Sequence, residues 1–185
     1  MRFDSPQKPN YSLRVNELSR EKQSLLLRCM VRGCGVLDSA DIVECDPGTV
    51  LRYLAVFGEA LAAAHDRLVR GFRCKRVEVD ELWSYVYGKD RNRATWVAGA
   101  PEWAGDYFTW TAIDPDTKLF ITRYTSKRTL KDARTVMFDL RSRLIGRVLI
   151  TTDALRLYKR AIAFTFGDDA DHVVIEKVLS FAVGP

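Results

Sequence analysis

A strand-like segment near the middle of the chain carries a carboxylate within its apolar run. From Val77 to Tyr87 the residues alternate as in a strand with one buried face, and Asp80 lies inside this segment. A second strand-like run, 147–152, is followed directly by Asp153. A carboxylate inside an apolar strand is costly unless it is paired or bound to a metal. Two strands that bring one Asp each to the same sheet edge are typical of a divalent-metal site, so Asp80 and Asp153 are candidate ligands.

Both aspartates also have a simpler interpretation. Asp80 is compatible with a structural ion pair to an arginine, and Asp153 with capping of a helix that begins at Ala154. Because side chains alternate along a strand, Glu81 is predicted to face the other side of the sheet and to be structural. A third carboxylate normally completes such a metal site, and Glu176, on the predicted last strand, is a candidate substitute for it.

Composition predicts a soluble protein that is not secreted. The chain has 185 residues, 47% of them hydrophobic, which is enough for a core. No apolar run approaches the ~18 residues of a membrane span, and the N-terminus lacks an apolar signal segment. The four cysteines form no CxxC pair, which argues against a zinc site and favours a reduced, cytoplasmic protein.

The net charge is +5, and one stretch of the chain is strongly basic. Between Lys118 and Arg160, lysine and arginine far outnumber the acidic residues. A solvated helix face is the simpler interpretation of such a charge run. Because this one surrounds a candidate metal site, it favours a polyanionic partner, and nucleic acid above all.

The N-terminal part has the pattern of a helix-turn-helix module. A flexible arm is expected over residues 1–16, then a helix from about residue 19, a short helix over Val36–Val43 and a long helix from Thr49. The long helix would read DNA with Thr49 and Arg52 near its N-terminal end. A generic three-helix bundle fits the spacing equally well, and the acidic short helix is unfavourable beside DNA. We place this module at residues 17–70.

The rest of the chain, residues 73–185, is predicted to be an α/β domain with a mixed sheet in the order β-β-β-α-β-α-β. Its predicted elements are strands 75–87, 107–113 and 118–124, helix 129–144, strand 147–152, helix 154–166 and strand 172–178. A long connection, Gly88–Asp106, separates the first two strands, and its Trp96 and Trp103 either stack on bases or pin the loop. Trp83, Tyr85 and Trp110 are predicted to be core residues.

Several blocks of this sequence resemble the DDE transposases of the insertion-sequence-one family. The blocks that carry the resemblance are Val77–Val86, Gly105–Asp114 followed by Thr117-Lys118-Leu119, Arg128-Thr129, and Thr151-Thr152-Asp153 followed by Tyr158 and Ala161. Glu21-Lys22, Gly33 and Thr49-Val50 fit the helix-turn-helix of many members. The similarity extends over nearly all of residues 17–178.

The resemblance implies a ribonuclease H-like catalytic domain behind an all-α DNA-binding module. Asp80 and Asp153 would be catalytic and would hold Mg²⁺ or Mn²⁺ for DNA cleavage and strand transfer during DNA transposition, a form of DNA recombination. The candidate DNA-binding residues are Thr49, Arg52, Lys89, Arg91, Arg93 and Arg128. The expected partner is DNA, at the element ends and the target, in a cytoplasmic, nucleoid-associated protein of the bacterial type, and homo-oligomerisation is left open.

The family's third carboxylate is a Glu on a helix after the last strand, and this sequence ends at Pro185, before such a helix. The resemblance therefore implies a C-terminally truncated copy with an incomplete catalytic domain and weak or no activity. The alternative function is a non-catalytic DNA-binding protein that recognises element ends and competes with or represses an intact transposase.

Overall fold

The computed structural model describes residues 17–96 and 100–176, so the predicted arm of residues 1–16 lies outside the described residues. The chain divides into two compact units, Met1–Leu68 and Val69–Pro185. None of the helices in the described ranges combines the length and the apolar character needed to cross a membrane.

The first unit contains three helices around a small core. They are α1 (Arg20–Val31), α2 (Val36–Val43) and α3 (Pro47–Leu68). The helix α1 begins where the sequence predicted it, and Ser19 is its N-cap, because its side chain accepts a hydrogen bond from the backbone N–H of Lys22. The helix α3 begins two residues before the predicted Thr49, since proline suits the first position of a helix. The buried core residues of this unit are Leu26, Cys29, Ala40, Val43, Val50 and Tyr53.

The second unit is built on a five-stranded mixed sheet, as predicted for an α/β domain. Its strands are β1 (Arg76–Val86), β2 (Gly105–Ile113), β3 (Phe120–Ser126), β4 (Val148–Thr152) and β5 (Ala170–Val174). The strands lie in the order β3-β2-β1-β4-β5. The pairs β1–β2 and β2–β3 are antiparallel, whereas β1–β4 and β4–β5 are parallel.

Two helices, α4 (Leu130–Arg143) and α5 (Arg156–Phe166), supply most of the apolar side chains that the sheet buries. Thr129 caps α4 by accepting a hydrogen bond from the N–H of Asp132. Val77 and Val79 of β1 are buried in this core, and Trp110 of β2 meets Tyr158 of α5 edge to face at 5.6 Å. The buried face of β1 is therefore the face of its odd-numbered residues.

The structure corrects three expectations. Trp83 and Tyr85 are not core residues, because their side chains are 47% and 49% exposed, in the part of β1 that extends past its pairing with β4. The last strand is Ala170–Val174 rather than 172–178, since its pairing with β4 begins at Val148 opposite Ala170. Glu176 therefore follows the last strand instead of lying on it.

Candidate metal centre

Neighbouring strands bring the two predicted aspartates together. In the parallel β1–β4 pair Glu78 lies opposite Thr151, and Asp80 and Asp153 each follow two residues later. One carboxylate oxygen of Asp80, one of Glu81 and one of Asp153 lie within 4.8 Å of one another. We call these three residues the acidic centre. Carboxylate oxygens are the preferred ligands of hard divalent cations, so the acidic centre could hold a metal ion.

The backbone orients both aspartate side chains. Oδ1 of Asp80 accepts the N–H of Glu81 at 2.8 Å, and Oδ1 of Asp153 accepts the N–H of Leu155 at 3.0 Å. Asp153 does not cap a helix that begins at Ala154, because α5 begins at Arg156 with Leu155 as its N-cap. Asp153 instead closes a short turn between β4 and α5, which fixes its carboxylate at the strand end.

Glu81 is the third member of the acidic centre, although strand alternation predicted a purely structural role for it. Its side chain is only 4% exposed. The hydroxyl of Tyr158 donates to Oε2 at 2.5 Å, and the guanidinium of Arg128 donates to Oε1. Burial and the hydrogen bond to Glu81 raise the pKa of Tyr158, so its phenol stays a protonated donor. Glu81 thus connects β1 to α5 and to the segment before α4.

An open cleft of about 770 Å³ lies at this end of the sheet. Four carboxylates line it, from Glu78, Asp80, Asp153 and Glu176. The N–H of Ile175 donates to the carbonyl of Thr152 at 2.8 Å, which brings the segment after β5 to the cleft. Glu176 lines the cleft but does not belong to the acidic centre. Several acidic side chains around one cleft suit a multiply charged cation, so the residues present fit Mg²⁺ or Mn²⁺.

A histidine lies beside this cleft on β5. His172 Nε2 and the hydroxyl of Thr152 are 2.9 Å apart. Burial and the charge of Lys159 lower the pKa of His172, so the imidazole is neutral at neutral pH. The histidine is therefore a hydrogen-bonding partner of the β4 end and adds no positive charge to it.

The predicted DNA-binding residues fall into two groups. Thr49 and Arg52 lie half-buried in the first turns of α3, in the first unit. The other four belong to the second unit. Lys89 contacts the rings of Trp83 and Tyr85, and Arg91 is exposed. Arg93 pairs with Asp90 and stacks on Trp96, whereas Arg128 pairs with Glu81.

Trp96 and Trp103, the two tryptophans of the long connection, differ in their surroundings. Trp96 is half-buried and meets the ring of Tyr87 edge to face at 5.6 Å, whereas Trp103 is 57% exposed. Trp96 therefore packs the first half of the connection against Tyr87, which directly follows β1.

No protein-family model matches this chain, and no curated protein matches it in sequence.

Replacing Tyr158 by Phe tests whether the hydroxyl of Tyr158 stabilises the buried carboxylate of Glu81. The ring keeps its contact with Trp110, but a buried oxygen of Glu81 loses its donor. We expect the free energy of unfolding to fall by about 1–3 kcal/mol, the cost of leaving a buried acceptor unsatisfied. Urea denaturation measures this change. Tyr124→Phe, on the exposed part of β3, is the matched control and should change stability by less than about 0.5 kcal/mol. Equal stabilities of the two variants would contradict the role of Tyr158.

Proposed function

We propose that this chain is a metal-dependent DNA strand-cleavage and strand-transfer enzyme, similar to the DDE transposases of the insertion-sequence-one family. The observation that carries the proposal is the acidic centre, where Asp80, Glu81 and Asp153 approach within 4.8 Å, beside the end of β4 and the middle of β1. The sequence blocks of the resemblance contain all three residues. Exposed acidic groups are common on proteins, so the proposal depends on their combination with the fold and those blocks.

The sheet topology supports a ribonuclease H-like fold for the second unit. An antiparallel β1–β2–β3 meander is joined to parallel β4 and β5, with β1 at the centre beside β4. This is the arrangement that the resemblance implies, with the first and fourth strands as neighbours. It explains why residues more than seventy positions apart form one acidic centre.

Within this proposal, the residues have distinct roles. Asp80 and Asp153 would hold the metal, and Glu81 would be the third carboxylate, kept in place by Tyr158 and Arg128. A bound Mg²⁺ or Mn²⁺ would activate an attacking oxygen and stabilise charge on the leaving oxygen of a phosphodiester. The neutral hydroxyl of Tyr158 keeps Glu81 hydrogen-bonded without adding charge, and Arg128 balances the Glu81 carboxylate.

The test is a cleavage and joining reaction with labelled linear DNA that carries the sequences flanking the coding region. With Mg²⁺ we expect nicked and joined products from the unmodified chain and none above background from Asp153→Asn. Asp41→Asn, an exposed carboxylate on α2, is the control and should retain activity. Cleavage that persists in Asp153→Asn would refute the proposed role of the acidic centre.

The alternative function is DNA binding without catalysis. The first unit favours it, because its three helices have a core of their own and contain no residue of the acidic centre. This alternative predicts that the labelled DNA is bound but not cleaved, and that Asp153→Asn and a metal chelator leave binding unchanged. Arg52→Ala should then weaken binding, since a lost phosphate contact lowers affinity on all sequences.

A further inference from the structure

The β1–β2 pair extends past the rest of the sheet as a two-stranded ribbon. Its register continues to Val86 opposite Gly105. By contrast, β4 pairs with β1 only over Arg76–Glu78, and β3 pairs with β2 only as far as Phe108. Among the described residues, the end of the ribbon, residues 84–86 paired with residues 105–107, therefore has no third strand beside it.

Three aromatic side chains share one face of this ribbon. Trp83 and Tyr85 are two residues apart on β1, so their side chains lie on the same face of the ribbon, and Phe108 lies directly opposite Trp83. The ring centroids of Trp83 and Tyr85 are 5.7 Å apart, and about half of each side chain is exposed. We call Trp83, Tyr85 and Phe108 the aromatic face. It continues the face of β1 that buries Val77 and Val79 further along, but here the side chains of Trp83 and Tyr85 are half exposed.

Two cations lie on the aromatic face. Lys89 Nζ is 5.0 Å from the ring centroid of Trp83 and 5.5 Å from that of Tyr85. The guanidinium of Arg128 is 5.2 Å from the ring centroid of Phe108 and also pairs with Glu81, so Lys89 supplies most of the positive charge of this face. Asp106 shares this face by register, and its Oδ1 accepts the N–H of Asp90. The surface therefore combines flat apolar rings with positive charge, which complements a ligand that has both flat faces and negative charge.

We propose that the aromatic face, with Lys89 and Arg128, binds unpaired nucleotides of a nucleic-acid strand. Exposed rings stack on bases of any sequence, and neighbouring cations bind the phosphates. In a duplex the base faces are already stacked on one another, so the rings select unpaired nucleotides. Lys89 would exchange its ring contacts, which are weak at exposed sites, for a phosphate.

The position on β1 relates this surface to the acidic centre. Glu81 of the acidic centre lies on the same face of β1 as Trp83, two residues or about 7 Å away along the strand, whereas Asp80 lies on the opposite face. Strand cleavage and transfer produce free single-stranded ends, and a strand end that leaves the acidic centre would reach the aromatic face. The proposal rests on the proposed function in naming DNA as the ligand, whereas binding itself requires neither metal nor cleavage.

Fluorescence anisotropy with a labelled oligo-dT strand in EDTA tests the proposal. We expect Trp83→Ala and Tyr85→Ala each to weaken single-strand binding by roughly 5–150-fold, the loss that follows removal of one stacked base contact. Trp83→Phe keeps a ring and should restore most of the affinity. The affinity for a labelled blunt duplex should change little with these substitutions.

Phe164→Ala is the matched control. Phe164 is also an exposed ring with a cation over it, Arg134 at 4.2 Å, but it lies on α5. The proposal is overturned if Trp83→Ala and Tyr85→Ala bind the single strand as the unmodified chain does. It is also overturned if they lose only self-association in sedimentation, because the face would then be an interface between copies.

Cleavage assays separate this proposal from the proposed function. Ring-dependent single-strand binding by a chain that cleaves no DNA would refute the enzyme and leave the aromatic face as a nucleotide site. Metal-dependent cleavage without ring-dependent binding would refute the nucleotide site alone. Circular dichroism and melting of each variant show whether a loss of binding reflects unfolding, and Tyr85→Ala provides the test if Trp83→Ala does not fold.

Discussion

Mn²⁺ binding should weaken by more than roughly a hundredfold in Asp80→Asn and in Asp153→Asn. Loss of a group that only supports a metal ligand already costs about 10–100-fold in metal affinity, and these two residues are the proposed ligands themselves. Electron paramagnetic resonance of free Mn²⁺ during a titration measures the affinity. Mn²⁺ replaces Mg²⁺ at oxygen sites and gives a signal, so the experiment does not depend on catalytic activity.

The asparagine substitutions are designed to leave the fold intact. Oδ1 of each aspartate accepts a backbone N–H, from Glu81 and from Leu155, and an asparagine carbonyl can accept the same bond. Asp41→Asn removes an equal charge from an exposed position of the first unit and should leave Mn²⁺ affinity unchanged. Unchanged affinity in Asp80→Asn would mean that the acidic centre holds no metal.

Trp110→Ala should lower the free energy of unfolding by about 3–5 kcal/mol, the usual cost of truncating a buried aromatic residue. Trp110 is fully buried, its indole N–H donates to the hydroxyl of Ser126 at 3.1 Å, and its ring packs on Tyr158. It also lies opposite Glu81 in the β1–β2 register. Because proteins are stable by only about 5–15 kcal/mol, this is a large share of the total. Chemical denaturation followed by circular dichroism measures it.

Trp103→Ala is the control for this experiment. Its side chain is 57% exposed, so the same truncation should change stability by less than about 1 kcal/mol. If Trp103→Ala destabilised the protein as much as Trp110→Ala, the core described for the second unit would be wrong. Both variants replace an indole side chain by a methyl group, so a difference in stability reports the difference in burial.

Local sequence patterns predicted most of the elements. The short helix Val36–Val43 has the predicted bounds, and the mixed sheet has the predicted order of strands and helices. The turn between β2 and β3 is also local, because the carboxylate of Asp114 accepts bonds from the hydroxyl of Thr117 and the N–H of Asp116. These features depend on residues close together in the chain. The nearness of Asp80 and Asp153 was also predicted, because the resemblance implied that their strands are neighbours.

Alternation predicts which face of a strand a side chain takes, but it does not predict how much of that face is covered. The strand β1 has 11 residues and spans about 36 Å, whereas the 14 residues of α4 span about 21 Å. The apolar pattern therefore continues through Trp83 and Tyr85, although about half of each of these side chains is exposed. Glu81 was missed as a member of the acidic centre because the same alternation assigned it to the buried face, and a long side chain can reach the strand edge from there.

The central place of β1 in the sheet also sets an order of events during synthesis. β1, β2 and β3 are consecutive in the chain and can pair as soon as they leave the ribosome. The other neighbour of β1 is β4, which follows about 70 residues later. At about 5–20 residues per second, the β4 side of β1 waits roughly 4–15 s for its partner. During that time the side of β1 that later pairs with β4, along Arg76–Glu78, is an open strand edge, and open strand edges are templates for pairing with another chain.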